Sequence, residues 1–338
     1  MRLVAIHDLH LLFVMVLMKA TGWLPSSTVR EWLLTVMSRG AYYLDRGTRL
    51  KAEKNLSIAF EGKLSDDDVH RIVKEALRAY WVEPFSLLPS EADRRALQDV
   101  RVQGIEHLRR PLESGKGVIL WESAFGRRVL AKQVLSHMGF VLHQIHAESH
   151  IGEMFGGYGP TSWVRRRILL PFFESLEKEF ATEIIYLSDS GSLGVPRLLL
   201  RLLRENAIIV SSADGVYGER LIPVECLGQT RPFATGMVSL ARLSGAPILP
   251  VFCAHERDGT LRLTIEPSID VQREGSRDQA IENSLSQYAR LLESYVKKYP
   301  EQYRVWFILG GSGDWTTAGK IIRQKSRPIS SSRPTEQR

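Results

Sequence analysis

Short apolar runs alternate with helical patterns in the second part of the chain, and this alternation restricts the fold more than any other feature. The runs Gly117–Trp121, Ala207–Ser211 and Ala246–Ala254 have the length of strands and are mostly apolar. Such runs are typical of parallel strands that are buried on both faces. Helical patterns separate them, as in Arg127–His137 and Val195–Arg204. The sequence therefore predicts an α/β fold with a mostly parallel central sheet flanked by helices.

The same reading assigns the remaining elements. We expect further strands at Phe140–Ile145, Glu183–Leu187 and Thr260–Glu266. We expect further helices at Ser162–Phe180 (interrupted near Pro171), Thr235–Ser244 and Gln279–Lys298. The first hundred residues are predicted to be helical, with one long helical stretch at 27–60. Ser65 to Asp68 predicts a capping box that begins a helix running to about Val82 and ending before Pro84.

An apolar run from Leu9 to Met18 lies near the amino terminus. It is shorter than the roughly 20 residues that a membrane-spanning helix needs, and it lacks the small-residue cleavage site of a signal peptide. The run predicts a helix that lies in the membrane surface, and a buried core helix is the alternative. The basic residues that follow, from Arg30 to Lys54, predict that this segment faces the cytoplasm.

Composition and charge divide the chain into four parts. The 338 residues have a net charge of +7, and much of it lies in the tail after Thr317. This tail is either a solvated disordered end or a segment attracted to anionic lipids. Nucleic-acid binding is disfavoured because no aromatic residues interleave the basic ones. We predict a membrane-associated helix at 1–26, a helical region at 27–100, an α/β domain at 101–316 and a basic tail at 317–338.

Several kinds of cofactor and catalytic site are not expected. Two cysteines, Cys226 and Cys253, cannot build a disulfide framework or a Cys-only zinc site. His146 and His150 have a spacing that suits a metal on a helix, but they follow a strand and the sequence suggests no third ligand. The glycines at 310–313 lack the pattern of a hydrolase nucleophile elbow. We therefore expect no metal and no cofactor.

Asp214 and Gly215 directly follow a predicted strand. The carboxyl ends of parallel strands are where open α/β sheets bind ligands. Asp214 is therefore a candidate catalytic residue and Gly215 a candidate substrate-binding residue. A turn or helix-cap aspartate is the alternative interpretation.

The order and spacing of several segments resemble the lipid A late acyltransferase family, the lauroyl/myristoyl acyltransferases of the lysophospholipid acyltransferase superfamily. The resemblance covers roughly residues 5–310. The segments that carry it are Arg49–Phe60, Gly104–Leu108, Gly115–Leu120, Leu198–Asp214, Gly228–Gly236, Leu240–Pro250 and Tyr299–Tyr303.

This resemblance implies a membrane-bound enzyme that moves a fatty acyl chain from acyl carrier protein or coenzyme A to a lipid hydroxyl. The family carries a histidine and, five positions later, an acidic residue just after a strand. A hydroxyl is a poor nucleophile at neutral pH, so a base takes its proton as it attacks the thioester. The acidic residue orients the imidazole, and cations or backbone N–H groups stabilise the oxyanion.

The sequence departs from the family at this motif, because Ala124 stands at the histidine position and Val129 at the acidic position. Three explanations are open. In the first, the base has moved to Glu122, His143 or His146, and Arg127 or Arg128 binds an anionic group of the substrate. In the second, the protein is a catalytically inactive relative of the family. In the third, it uses a different hydroxyl-containing substrate. A structural ion pair between Glu122 and Arg127 is the alternative to the first explanation.

We predict an O-acyltransferase with an altered active site at the cytoplasmic face of a bacterial-type inner membrane. The candidate catalytic residues are Glu122, His146 and Asp214, and the candidate substrate-binding residues are Ser123, Arg127, Arg128 and Gly215. The expected partners are acyl carrier protein or acyl-CoA, a lipid or glycolipid acceptor and an anionic membrane surface, but no nucleic acid. The alternatives are an inactive lipid-binding or assembly protein of the same fold and an unrelated α/β enzyme.

Overall fold

The computed structural model describes residues 6–22, 27–88, 97–147, 162–187, 194–214 and 220–308, together with Arg94. The strands are β1 (Arg101–Gln103), β2 (Val118–Glu122), β3 (Leu142–Ala147), β4 (Glu183–Leu187), β5 (Ile208–Ser212), β6 (Leu221–Cys226), β7 (Gln229–Ala234), β8 (Ile248–His255) and β9 (Leu261–Ile265). The helices are α1 (Ile6–Gly22), α2 (Ser27–Leu44), α3 (Arg46–Ala59), α4 (Asp66–Phe85), α5 (Ile105–Glu113), α6 (Arg128–His137), α7 (Leu170–Glu177), α8 (Gly194–Arg204), α9 (Gly236–Ser244), α10 (Arg277–Lys298) and α11 (Val305–Ile308). A π-helical turn at Arg165–Leu169 precedes α7, and a 3₁₀ turn at Pro300–Gln302 precedes α11.

The central sheet has seven strands in the order β1-β9-β8-β2-β5-β3-β4. All neighbouring strands are parallel except β8 and β9. Every residue of β2 is buried, because this strand pairs on both edges and carries helices on both faces. The predicted α/β fold with a mostly parallel sheet is therefore confirmed.

Alternate residues of β2 belong to two different cores. Trp121 packs edge-to-face on Tyr288 of α10, with ring centroids 5.0 Å apart, in the larger core. Leu120 points to the opposite face and belongs to the core that contains Leu130 of α6. We call these sides of the sheet the α10 face and the α6 face, because the side chains of the candidate site divide between them.

Three local differences from the sequence prediction have physical reasons. Strand β3 begins two residues later than expected, because the Phe140 N–H donates to Leu135 and closes the last turn of α6. Helix α4 continues through Pro84 to Phe85 instead of ending before the proline. A proline one residue from a helix end removes only one hydrogen bond of the last turn. Strands β6 and β7 form a separate hairpin to which the sequence reading assigns no strands, because Pro223 and Pro232 interrupt both strand patterns.

The amino-terminal region is helical, as predicted. The helical stretch at 27–60 forms two helices that meet at Asp45, whose carboxylate accepts the Thr48 N–H at 3.0 Å and caps α3. Ser65 caps α4 as expected, because its hydroxyl oxygen accepts the Asp68 N–H at 3.2 Å. Within the described residues, every helix is too short or too polar to cross a lipid bilayer.

Helix α1 is held to the rest of the protein by charge and by apolar packing. Its Asp8 forms an ion pair at 3.2 Å with Arg165, and both side chains are buried. Leu11, Val14 and Met18 pack into a third apolar cluster with residues of α7. The opposite side of α1 is exposed, although it is also apolar. The predicted tail at 317–338 lies outside the described residues.

Candidate active site

Four neighbouring strands end at one edge of the sheet. Strands β2, β3, β5 and β8 run parallel, so their carboxyl ends meet at the same edge. Glu122 lies opposite Ser212 in the register, and the Ala213 N–H donates to the Glu122 carbonyl at 2.7 Å. Glu122, His146, Asp214 and His255 lie at or next to these strand ends. This is the sheet edge that binds ligands in open α/β folds.

The turn between β2 and α6 carries the two positions at which the sequence departs from the family. The Ala124 N–H donates to Asp214 Oδ2 at 3.2 Å, and the Ala124 carbonyl accepts the Arg304 N–H at 2.9 Å. Val129 is buried in the first turn of α6. Neither side chain can transfer a proton, so any acid–base group has to come from another residue.

Gly126 lets this turn pass close to β8. Its φ is 56°, and a Cβ atom at this position would lie 2.0 Å from the Cys253 carbonyl oxygen. Only glycine fits both constraints. The Arg127 N–H then donates to the same carbonyl at 2.7 Å, which fixes the start of α6 against the sheet.

Glu122 points to the α6 face and forms a buried ion pair. Its Oε1 lies 3.2 Å from Lys132 Nζ, and the two side chains are 5% and 6% exposed. Lys132 also donates to Gln144 Oε1 at 3.0 Å. The carboxylate therefore faces an ammonium group supplied by α6, and it does not pair with Arg127.

His146 lies on the same face and is paired with a carboxylate. Its Nε2 is hydrogen-bonded to Glu177 Oε2 at the end of α7, and both side chains are buried. Burial raises the pKa of Glu177, but His146, Lys132 and Arg128 together outweigh burial, so that the pKa lies below its usual value. This pair contains the two residue types that are missing at Ala124 and Val129. A carboxylate that is hydrogen-bonded to an imidazole orients the ring and fixes which nitrogen faces away from it.

Asp214 lies on the α10 face. Burial raises its pKa, and the hydrogen bond from Ala124 and the charges of Arg128 and Arg231 offset only part of this effect. Arg231 in turn donates to Tyr303 Oη at 3.0 Å. The Asp214 carboxylate is thus an acceptor for the turn and the neighbour of two cations.

Ser123 is buried beside the same group of residues. Burial raises the pKa of Tyr288 well above its usual value, the Asp214 charge adds to this, and the Ser123 hydroxyl acts in the opposite direction. Ser123 and Asp214 are therefore brought together around Tyr288, on the face opposite to Glu122 and His146.

Arg127 lies at the turn, between these two groups. It donates to Ser86 Oγ at 3.0 Å and approaches His255 Nε2 at 3.4 Å. Burial lowers the pKa of His255 to about 4, and the nearby arginine charges lower it further. The two histidines of this edge thus differ: His146 faces a carboxylate, whereas His255 faces a guanidinium.

The structure separates the remaining candidates. Arg128 is half-buried and acts electrostatically on both Asp214 and Glu177. His143 lies near the amino end of β3, away from this edge. Gly215 and His150 lie outside the described residues. Within the described ranges, no group of three or more His, Cys, Asp or Glu side chains is placed to hold a metal ion.

The sequence did not indicate four of the charged side chains at this edge, namely Glu83, Lys132, Glu177 and His255. His255 directly follows the predicted strand at Ala246–Ala254, so the rule that selected Asp214 selects it too. Lys132 stands among apolar residues of α6, which is a signal for a buried charge. Nothing in the local sequence marks Glu83 or Glu177, because each meets its partner from a distant part of the chain.

Comparison with known proteins adds one match. Residues 175–308 match the family model described as bacterial lipid A biosynthesis acyltransferase. No curated protein matches the chain. The matched segment is less than half of the chain and extends from the end of α7 to the end of α11. It includes Glu177, Asp214 and His255 but not the turn between β2 and α6.

The match agrees with the resemblance that the sequence motifs indicate, and it identifies an acyltransferase-type segment. The match over residues 175–308 thus supports the resemblance to the lipid A late acyltransferases, and this segment is similar to the bacterial lipid A biosynthesis acyltransferases.

Proposed function

We propose that the protein transfers a fatty acyl chain from an acyl thioester to a hydroxyl of a lipid or glycolipid, with His146 as the base. The donor is acyl carrier protein or acyl-CoA. The observation that carries this proposal is the buried pair of His146 and Glu177. It supplies an imidazole and a carboxylate at the carboxyl edge of the sheet, in a chain that lacks both at positions 124 and 129.

The mechanism follows from the roles of these side chains. His146 takes the proton of the acceptor hydroxyl on the ring nitrogen that is not bonded to Glu177. The acceptor oxygen attacks the thioester carbonyl, and Arg127 and Arg128 stabilise the oxyanion. The carbon–sulfur bond then breaks, and the leaving thiolate takes the proton from the imidazolium. Glu177 orients the ring throughout.

The other two candidate catalytic residues have supporting roles in this proposal. Asp214 holds the turn through the Ala124 N–H and keeps Arg128 close to the reacting carbonyl. Glu122 compensates the buried charge of Lys132. Ser123, which is buried beside Asp214, is proposed to contact the substrate; the role predicted for Gly215 falls on a residue outside the described ranges.

We also propose that α1 lies in an anionic membrane surface, at the cytoplasmic face of the inner membrane. Leu9, Phe13 and Val16 are spaced along one side of α1 and are 58%, 54% and 60% exposed. A helix with a buried apolar side and an exposed apolar side is suited to lie between a protein and a lipid surface. The exposed Lys19 at its end favours anionic lipids.

A second function is favoured by the way the polar groups pair with one another. Glu122 is engaged by Lys132, and Asp214 by the Ala124 N–H. Such internal pairing is what a catalytically inactive lipid-binding or assembly protein of this fold would retain.

An acyl-transfer assay separates the two functions. Purified protein in detergent is given radiolabelled acyl-CoA or acyl carrier protein together with a panel of lipid acceptors. Transfer to any acceptor supports the enzyme, and the preferred thioester identifies the donor. Binding of labelled lipid without transfer from either donor contradicts the enzyme and supports the inactive protein.

A further inference from the structure

A carboxylate from the amino-terminal helices reaches the turn at the position where the sequence lacks an acidic residue. Glu83 lies near the end of α4 and is 2% exposed. Its Oε1 accepts the Val129 N–H at 3.1 Å. A carboxylate therefore lies next to the backbone of Val129, although residue 129 itself is not acidic.

The same carboxylate lies between two arginines. Glu83 Oε2 is 3.6 Å from Arg304 Nη1 and 3.9 Å from Arg127 Nε. Arg304 donates in turn to the Gly126 carbonyl at 2.6 Å. One buried charge thus ties α4, the turn and the segment before α11 together.

We infer that Glu83 is a positioning residue that takes over the acidic place left vacant at Val129. The inference rests on the proposed function. With Ala124 in place of a histidine, the carboxylate orients a guanidinium instead of an imidazole. It positions Arg127, which also donates a hydrogen bond to Ser86, and Arg127 is the group proposed to stabilise the oxyanion.

A helix cap alone would have different consequences. A carboxylate at the amino end of α6 stabilises the helix whether or not it aims a side chain. Its loss would lower stability and leave catalysis intact in the folded fraction. A positioning residue also controls kcat, because a displacement of about 1 Å near the reacting atoms costs about 100-fold in rate.

The test uses the full-length protein with Glu83→Ala and Glu83→Gln. Formate is the probe, because it is a carboxylate small enough to enter the space that the alanine leaves. Thermal unfolding and acyl-transfer kinetics are measured with increasing formate. Glu266→Ala is the matched control: Glu266 accepts a hydrogen bond from Tyr295 Oη at 2.5 Å just after β9, away from the carboxyl ends of β2, β3 and β5.

We expect formate to raise the melting temperature of Glu83→Ala with saturation, but not that of Glu83→Gln or Glu266→Ala. We expect kcat of Glu83→Ala to fall about 100-fold with little change in the acceptor KM, and formate to restore much of it. Glu83→Gln keeps an acceptor for Val129 but not the charge, so its kcat stays low.

Three results would overturn the inference. Formate that restores the melting temperature but not kcat would make Glu83 a helix cap only. A Glu83→Gln variant with the wild-type kcat would show that the charge does not position Arg127. If the wild-type protein transfers no acyl chain at all, the proposed function fails and the inference fails with it. A saturable effect of formate in that case identifies the carboxylate site alone.

Discussion

The Nζ atom of Lys132 lies 3.2 Å from the Oε1 atom of Glu122, and both side chains are almost fully buried. This ion pair helps to decide which side chain can act as a base at the end of β2. A carboxylate that compensates a buried ammonium is a poor general base, because its protonation would leave the ammonium unpaired. His146 faces a carboxylate instead, which orients the imidazole ring.

We expect Glu122→Gln to lower the free energy of unfolding by about 3 kcal/mol, because it leaves Lys132 charged and buried without a counterion. Urea unfolding at pH 7 measures this. The control is Glu205→Gln, which removes an exposed ion pair with Arg201 and should cost less than about 1 kcal/mol. Acyl transfer by the folded fraction of Glu122→Gln should persist, and its complete loss would instead make Glu122 the base.

Asp214→Asn should stabilise the protein at neutral pH. Burial raises the pKa of Asp214, so the ionised carboxyl is less favourable in the folded protein than in the unfolded chain. Its stabilising effect is complete below the usual aspartate pKa and is lost as the pH rises through the raised value. Asparagine stays neutral and can still accept the Ala124 N–H. Urea midpoints at pH 7 and at pH 3.5 should therefore show a gain for the variant only at pH 7.

A second aspartate variant, for which we expect the opposite change in stability, controls for the general effect of removing a negative charge. Asp258 is exposed, and hydrogen bonds from Thr260 lower its pKa. Asp258→Asn should therefore destabilise the protein at pH 7. Equal shifts for both variants would contradict the assigned environment of Asp214.

His255 should make stability depend on pH between 6.5 and 4. Burial lowers its pKa from 6.5 to about 4, so the unfolded chain binds a proton in this range while the folded protein does not. Stability is then lost as the pH falls from 6.5 towards 4, by roughly 3 kcal/mol over the window. Denaturant unfolding of His255→Gln should lack this part of the pH dependence.

The wild-type protein, measured in the same buffers, is the comparison for this titration. If His255→Gln follows the same curve as the wild type, the imidazole does not titrate as its surroundings imply.

Replacing the exposed apolar side of α1 should weaken membrane binding. Serine at Leu9, Phe13 and Val16 removes three large side chains that are more than half exposed. Their burial in lipid is worth enough to change the affinity for vesicles by at least about tenfold. Flotation with anionic vesicles measures the bound fraction. Leu243→Ser, at a 73% exposed position on α9, is the control and should bind as the wild type does.

The fold was largely predictable from the sequence because its strands are buried on both faces. Runs such as Val118–Trp121 are apolar throughout, and Ser65 has the hydroxyl and spacing of a helix cap. The hairpin of β6 and β7 was not predictable in the same way. It is half-exposed, contains two prolines (Pro223 and Pro232) and turns at Leu227 and Gly228, both of which have positive φ.

The position of the candidate site in the fold was predictable from the sequence, but the contacts among its residues were not. Strand ends can be read from apolar runs, and Glu122 and Asp214 were found in this way. Their neighbours come from distant segments: Glu177 follows His146 by 31 residues, and Glu83 precedes Val129 by 46. The spacing of apolar residues in a strand or helix carries no information on contacts between distant segments. Only the structure therefore shows which carboxylate contacts which base.

The proposed base is tested by comparing acyl transfer by wild-type protein and His146→Gln in one radiolabel assay. Glutamine can keep a hydrogen bond to Glu177 but cannot act as a base at neutral pH. We predict that the wild type transfers the acyl chain and that the rate of the folded fraction of His146→Gln falls at least about 100-fold. Transfer by His146→Gln at the wild-type rate would contradict the assignment of His146 as the base.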